Sequence, residues 1–482
     1  MVTEPQTADV LVLGAGVGGL AAALELARAG LKPLVLEAAR TAGGAVAAHT
    51  VGGLVLDAGA EAFATARPAT AALLDELGLA DRVIRPCPVG AWVRHAGGAA
   101  PLPATAFLGI PGHPWAADVR RVIGLTGSAR ASVDRLRRVR DVDPRSSLGA
   151  LVRSRMGARV LERLVEPVAG GVYAADPDTL DIGTVAPGMP EAMVATGSLA
   201  ATARRLRGTG SRPGSAVGSL TGGLHTLVPV LVDAVTAAGG TVRTGVRVTG
   251  LTRSDTDATW LVGTTGGPLA TRRVVLAVPA PESARLLTSA WPGVPTSVLR
   301  APVSPVALVT LLVDDAQLDP APRGTGVLVS ARARGPRAKA LTHATAKWPW
   351  LARAAGPGRH VLRLSYGRGA GDDIPADRDL PGIALADAAD LLGVPLDRSA
   401  VVDSVVVRWE SALPVPRPGH AAAVGELRAA TAAQGLAVVG SAVAGTGLGA
   451  VIGDARQQAR TLAGVAGAKC GSNGSRPDRP VR

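Results

Sequence analysis

The chain has 482 residues, 47% of them hydrophobic, and a formal net charge of +13. That length predicts two or three lobes rather than one core, and the apolar share excludes a disordered chain. All but four of the 51 basic residues are Arg, a positive field that attracts acidic ligands; without a nucleic-acid module or aromatic stacking pattern it does not point to nucleic acid.

Two distant cysteines, Cys87 and Cys470, exclude a disulfide framework and a cysteine metal cluster, and agree with a reducing cytoplasm. The first residues carry no basic region ahead of their apolar run and no cleavage pattern after it, so no signal peptide is expected. The default expectation is a soluble, cytoplasmic protein without a transmembrane segment.

In chain order, the apolar run at 10–13 reads as a buried strand that ends at GAGVGG, residues 14–19. LAAALELARAG then carries helical spacing, and LKPLVLE reads as a second buried strand. The Arg-dense run ARASVDRLRRVRDVDPR, 129–145, reads as the solvated face of a helix in which Asp134, Asp141 and Asp143 are interspersed, or else as an anion-facing helix near a carboxylate-rich ligand. Residues 148–203 look helical with a turn at AADPDTLD, and 208–218 form a Gly/Ser linker. Strand patterns return at 240–279. Between 302 and 364 they alternate, as in an antiparallel sheet with one covered face. VVDSVVVR, 401–408, and LAVVG, 436–440, are further strands; the tail from 468 is expected to be disordered.

The stretch LAVVGSAVAGTGLGAVIG, 436–453, is 18 residues without a charge. It matches a membrane span in length, but its five glycines and the charged helix-like run behind it do not suit one.

Gly14, Gly16 and Gly19 form G-x-G-x-x-G between a strand and a helix. The first glycine permits the tight turn, the second lets backbone approach a pyrophosphate, and the third allows close packing of helix on strand. The helix start presents free N–H groups to phosphate. Glu37 ends the second strand 18 residues past Gly19, where its carboxylate can accept from ribose hydroxyls. Together these predict a dinucleotide site in a doubly wound α/β domain. No His or Cys cluster accompanies it, so no metal site is expected, and a redox cofactor bound there would need no catalytic side chain. The seven His are scattered.

After Glu37, a second glycine pair (Gly43, Gly44) is followed by a short strand and Asp57-Ala58-Gly59. This order resembles the FAD-binding group that includes amine oxidases, phytoene desaturases and protoporphyrinogen oxidases. GSLTGGLHTLVPVLVDAV (218–235), the strand with Val248 and VVLAVPA (274–280) resemble it too. Within that group the chain is most similar to the bacterial porphyrinogen oxidases, through MGARVLERLVEPVAGGVYAADPDTLDI (156–182), ALTHATAKWPW, VLRLSYGRGAGDD and VVVRWESALPVPRPGH. These segments span most of the chain in order. The Gly, Ala and Arg bias resembles a high-GC bacterium, and in Gram-positive members the family oxidises coproporphyrinogen III ahead of iron insertion.

The resemblance implies an α/β Rossmann-type FAD domain in three pieces (9–88, 218–296 and 403–467), a helical lobe (89–217), an antiparallel substrate sheet (297–402) and a tail (468–482). It implies FAD contacts at Gly14, Ala15, Gly16, Val17, Gly18, Gly19, Glu37, Ala38, Gly43, Gly44, Gly59, Ala60, Glu61, Ala62, Val248, Gly440, Thr446, Gly447 and Leu448. Trp409 is either at the flavin ring or a packed core residue, and Glu166 and Tyr173 either line the site or are structural. Val327 and Leu328 either line a pocket or pack in the core. The family commonly has Arg one residue beyond Arg40 and a basic residue where Ala45 stands, and an Arg on the substrate side in some relatives has no match at 90–92.

The implied reaction is a six-electron oxidation of a tetrapyrrole at FAD N5, with dioxygen as final acceptor and hydrogen peroxide released. A ferrochelatase would receive the product by transient contact. The alternatives are a flavin amine oxidase, against which the absence of aromatic residues in SAVAGTGLG counts, a polyene desaturase, and a non-catalytic flavin or porphyrin carrier.

Overall fold

A computed structural model of the chain describes residues 5–464 except 66, 104–105, 138, 140, 144–145, 208–216, 255, 257 and 370. Strand β1 (Val10–Leu13), helix α1 (Val17–Arg28) and strand β2 (Pro33–Leu36) form the opening unit. A hairpin of β3 (Ala48–Val51) and β4 (Leu54–Asp57) follows, then α2 (Pro68–Glu76). Strands β5 (Trp92–His95) and β6 (Gly98–Pro101) precede a helical stretch that starts at α3 (Ala117–Ser132), includes α4 (Glu166–Tyr173) and ends with Leu199–Arg207.

The chain then returns through β7 (Thr241–Arg243), β8 (Val248–Arg253) and β9 (Val274–Leu276). Next come β10 (Val303–Asp314), β11 (Gly326–Val329), β12 (Ala340–His343) with the short helix α5 (Ala344–Lys347), and β13 (Arg359–Tyr366). Helix α6 (Leu380–Leu392), strands β14 (Val401–Pro414) and β15 (Leu436–Val438), and helix α7 (Leu448–Leu462) complete it.

Five of these strands make a parallel sheet in the order β7-β2-β1-β9-β15. Both faces are covered: Val10 and Val12 pack with α1 and α7, and Leu11 and Leu13 join a second core with Trp260 and Leu286. Burial on two sides explains why β1 reads as an uninterrupted apolar run rather than an alternation. Residues from 10 to 438 build this one sheet, with the other lobes inserted between its strands.

A seven-stranded sheet, β14-β10-β13-β12-β11-β5-β6, forms the second layer and is antiparallel except between β11 and β5. On one face Val309, Leu311, Leu362, Leu364 and Tyr366 pack under α6. On the other, Leu312 and Val361 pack with the β3–β4 hairpin, and Leu308 and Leu328 are half-buried. Such alternation is the mark of a sheet whose two faces meet different surroundings.

Three expectations change in detail. Residues 89–101, read as part of the helical lobe, contribute β5 and β6 to the large sheet. Val93 and Ala100 nonetheless sit in the helical core, so the segment serves both. The limit drawn at 402/403 falls inside β14, which runs on to Pro414 because it pairs with β10 along nearly its full length. Asp134 is not solvated but fully buried, accepting from Arg155 Nε at 2.6 Å and the Ala200 amide at 3.0 Å. Residues 208–216 of the linker and the tail from 468 lie outside the described residues, while Val217 and Gly218 open a short strand, Val217–Leu220. Among the described residues no helix is long and apolar enough to cross a membrane.

Candidate functional site

The loop after β1 is held from all sides. The Gly14 amide donates to the Leu36 carbonyl at 2.7 Å, and Gly14 has φ +104°, where an L side chain is strained. A Cβ there would stand 2.6 Å from the Ala277 oxygen, and one at Gly19 would stand 2.0 Å from the Gly14 oxygen. At Gly16 a Cβ would meet nothing within 4 Å, so that face of the loop is open. Gly16 caps α1 without a side chain, leaving the first-turn amides of Val17, Gly18 and Gly19 suited to an anion.

Glu37 reaches across this loop. Its carboxylate accepts from the Ala15 amide and the Ala39 amide, each at 2.8 Å, which fixes it beside exposed Ala38 and leaves lone pairs for a hydroxyl. The Val246 amide donates to the Glu37 carbonyl at 2.9 Å and leads into Val248, which begins β8. Gly43 donates to the Ala15 carbonyl at 2.8 Å and bridges Gly16, so the second glycine pair lies on the first. Gly44 follows at φ +59°.

The other half of the site comes from the far end of the chain. A Cβ on Gly18 would stand 3.0 Å from Val451 Cγ1 and 3.8 Å from Gly440 Cα, so the starts of α1 and α7 converge. The uncharged stretch at 436–453 is β15, a one-turn helix (Ser441–Ala444), a glycine loop and the head of α7. Helix α7 starts at Leu448, with Gly447 as its cap. Gly440 and Gly445, at φ +113° and +92°, bound the one-turn helix because a right-handed helix cannot continue through them. A Cβ at Gly440, Gly445 or Gly447 would meet nothing within 4 Å; Thr446 and Leu448 flank this open backbone half-buried.

Residues 59–62 close the third side. The Ala60 amide donates to the Ala45 carbonyl at 2.8 Å. Trp409 Nε1 donates to the Ala58 carbonyl at 3.1 Å, and its ring would lie 3.1 Å from a Cβ on Gly59. Trp409 is therefore packed on this loop while remaining half-buried. Glu61 accepts from Lys347 Nζ and from Arg363 Nη1, whose other terminal nitrogen donates to the Gly59 carbonyl. Burial alone would raise the Glu61 carboxyl, but Lys347 and Arg363 together hold it below the ordinary carboxylate value. His49 lies close enough to feel Arg363 and Asp57; burial, helped by Arg363, lowers its pKa to about 4.

Lys347, Arg363 and His49 were not singled out from sequence. The available signal was compositional: Lys347 is one of four lysines in a chain of arginines, inside ALTHATAKWPW. Glu166 does not reach these loops. It accepts from the Ala331 amide at 2.9 Å, tying α4 to the turn after β11, and burial raises its carboxyl despite that bond. Tyr173 donates to the Val185 carbonyl at 3.2 Å. Val327 is a core residue beneath α6, whereas Leu328 faces α4, where a Cβ on Gly171 would stand 2.8 Å from its Cδ2. Arg40, three residues past Glu37, is exposed. Among the described residues no three His, Cys, Asp or Glu side chains are placed to share a metal ion.

A crowded turn opening onto a helix start, a fixed carboxylate, and bare backbone at three glycines fit a dinucleotide carrying a flat ring. Fold and site together define the class of FAD-dependent oxidoreductases with a discontinuous dinucleotide-binding domain and an inserted sheet. The family model described as flavin containing amine oxidoreductase matches residues 17–466, and the chain belongs to that family. It is 32% identical to the coproporphyrinogen III oxidase of Mycobacterium tuberculosis (strain CDC 1551 / Oshkosh) over 452 residues, covering 92% of this chain and 95% of that one. The coproporphyrinogen III oxidase of Bacillus subtilis (strain 168) is 26% identical, with 91% and 94% covered. Among solved structures, the "Putative protoporphyrinogen oxidase" of Exiguobacterium sp. 255-15 superposes with a TM-score of 0.81 at 26% identity, over 96% of this chain and 99% of that one.

Proposed function

We propose that the protein oxidises coproporphyrinogen III to coproporphyrin III in haem biosynthesis, and that protoporphyrinogen IX is a second substrate. The observation that carries this reading is similarity along nearly the whole chain to relatives bearing that name, joined to a site whose open backbone suits a flavin. FAD, when bound, supplies the hydride acceptor for each two-electron oxidation. Over the whole reaction six electrons and six protons leave the porphyrinogen, and three dioxygen molecules become three of hydrogen peroxide.

In this reading the pieces 9–88, 218–296 and 403–467 form the flavin part. Gly14 to Gly19 and the head of α1 hold the pyrophosphate, with Gly43 and Gly44 behind them. Glu37 holds the ribose, and Ala38 and Val248 flank the adenine. Residues 59–62, Trp409, Gly440, Thr446, Gly447 and Leu448 surround the ring. The head of α7 points its positive end there, favouring negative charge on the ring as it is reduced. Glu61, Lys347 and Arg363 fasten the 59–62 loop to the large sheet, and the half-buried face around Leu308 and Leu328 offers apolar cover that keeps water from the macrocycle. The reaction is placed in the cytoplasm, with transient transfer of the porphyrin to a ferrochelatase.

The test supplies FAD-loaded protein with freshly reduced coproporphyrinogen III and, separately, protoporphyrinogen IX. Rising porphyrin fluorescence with peroxide release is expected, faster for the first substrate. Oxidation of an amine with neither porphyrinogen touched would transfer the protein to the amine oxidases. Porphyrin binding without bleaching of the flavin under anaerobic conditions would make it a carrier.

A further inference from the structure

Arg67 stands where three elements meet. It precedes α2 as its cap residue, and its Cβ and Cδ would lie 2.8 and 3.5 Å from a Cβ on Gly449, in the first turn of α7 directly after Thr446, Gly447 and Leu448. The end of α4 is within electrostatic reach: burial raises the Tyr173 phenol, and the charge of Arg67 tempers that rise. Tyr173 lies two residues past Gly171, which packs on Leu328 of β11. The Arg67 side chain thus sits against the head of α7, within electrostatic reach of the end of α4.

The cations nearby are otherwise committed. Lys347 and Arg363 serve Glu61, Arg82 donates to Thr221 and Thr226, and Arg456 pairs with Glu25 and Glu76. Arg67 is exposed, and among the described residues no carboxylate, carbonyl or hydroxyl accepts from it. A guanidinium held by its stem beside a helix N-terminus, with its fork free, matches a carboxylate in two-point geometry. The partial positive charge at the head of α7 adds to the attraction.

We propose that Arg67 binds a carboxylate side arm of the tetrapyrrole and favours coproporphyrinogen III, which has four such arms, over protoporphyrinogen IX, which has two. This rests on the porphyrinogen reading of the site, and the experiment separates the two. FAD-loaded wild type, Arg67→Gln, Arg67→Lys and the remote control Arg121→Gln are compared for flavin content, for coproporphyrin III binding by fluorescence, and for KM and kcat with both porphyrinogens.

Arg67→Gln should weaken coproporphyrin III binding and raise its porphyrinogen's KM about tenfold, the loss of one good charged contact. Its kcat should fall far less, its flavin content should match wild type, and protoporphyrinogen should be affected about threefold or less. Arg67→Lys should recover part of the loss, since the charge returns without the fork, and raised salt should narrow the gap. Unchanged coproporphyrin III affinity in Arg67→Gln, an equal effect in Arg121→Gln, or loss of flavin in place of porphyrin would each overturn the assignment. If wild type oxidises neither porphyrinogen, the proposed reaction fails, while the binding measurement still decides the role of Arg67.

Discussion

The glycines at the two ends of the chain look alike in sequence and do opposite jobs. At Gly14, Gly19 and Gly43 an added Cβ would stand 2.0 to 2.6 Å from backbone oxygens of the protein itself. At Gly440, Gly445 and Gly447 it would meet nothing within 4 Å. The first group is small because the fold presses on it, and the second leaves room for something that is not protein. Substitution separates these two reasons: the crowded set should respond in stability, the open set in ligand affinity.

The largest effect should come from Gly19→Ala, where the new methyl collides with backbone and neither α1 nor β1 can move without disturbing a fully buried sheet. A loss of about 3 kcal/mol or more is expected in urea unfolding of the flavin-free protein. A wild-type midpoint would show that the crowding can relax and that the contrast is false.

Lys347→Met tests the ionic fastening of the 59–62 loop, beside the open set. Glu61 keeps Arg363, so the cost should be about 1–3 kcal/mol, below that of fully orphaning a buried charge. The sign with pH follows from linkage. Glu61 has a folded pKa below its ordinary value of 4.5, so its pairing stabilises the fold above that pH and is lost as pH falls through the depressed value. The deficit of Lys347→Met against wild type should thus be full near neutrality and narrow below about pH 4.5. Thermal midpoints measured from pH 3 to 7 check this, and a constant deficit would assign the loss to packing.

Gly447→Val should move stability least, within about 0.5 kcal/mol, since φ is −78° and the space is open. FAD affinity measured by flavin fluorescence should nonetheless fall tenfold or more. Equal affinity in wild type and variant would remove the flavin from this loop.

Legibility in the sequence followed the distance over which each residue finds its partners. Gly14, Gly16, Gly19 and Glu37 lie within one strand–helix–strand unit, and their spacing alone announced the turn and the carboxylate that bonds across it. The stretch at 436–453 became readable only through its resemblance to known flavoproteins, because nothing local ties Gly440 to Gly18. Asp134 was misread because its neighbours in sequence are arginines, while Arg155 and the Ala200 amide, which bury it, are 21 and 66 residues away. The pairing of Glu61 with Lys347 and Arg363 stayed invisible for the same reason, being made across 286 and 302 residues. Periodicity reports the face a residue presents and leaves its partner unnamed.

The parallel sheet carries a consequence for the order of events in synthesis. Strand β1 precedes the start of β9 by 264 positions, and β15 begins only at Leu436. Helix α7, which packs against α1, follows last among the described elements. The nascent chain must therefore shelter an unfinished sheet edge for almost its whole length. Flavin capture then works as a completion check: chains arrested before residue 448 should remain colourless and prone to aggregation however well their other lobes have folded.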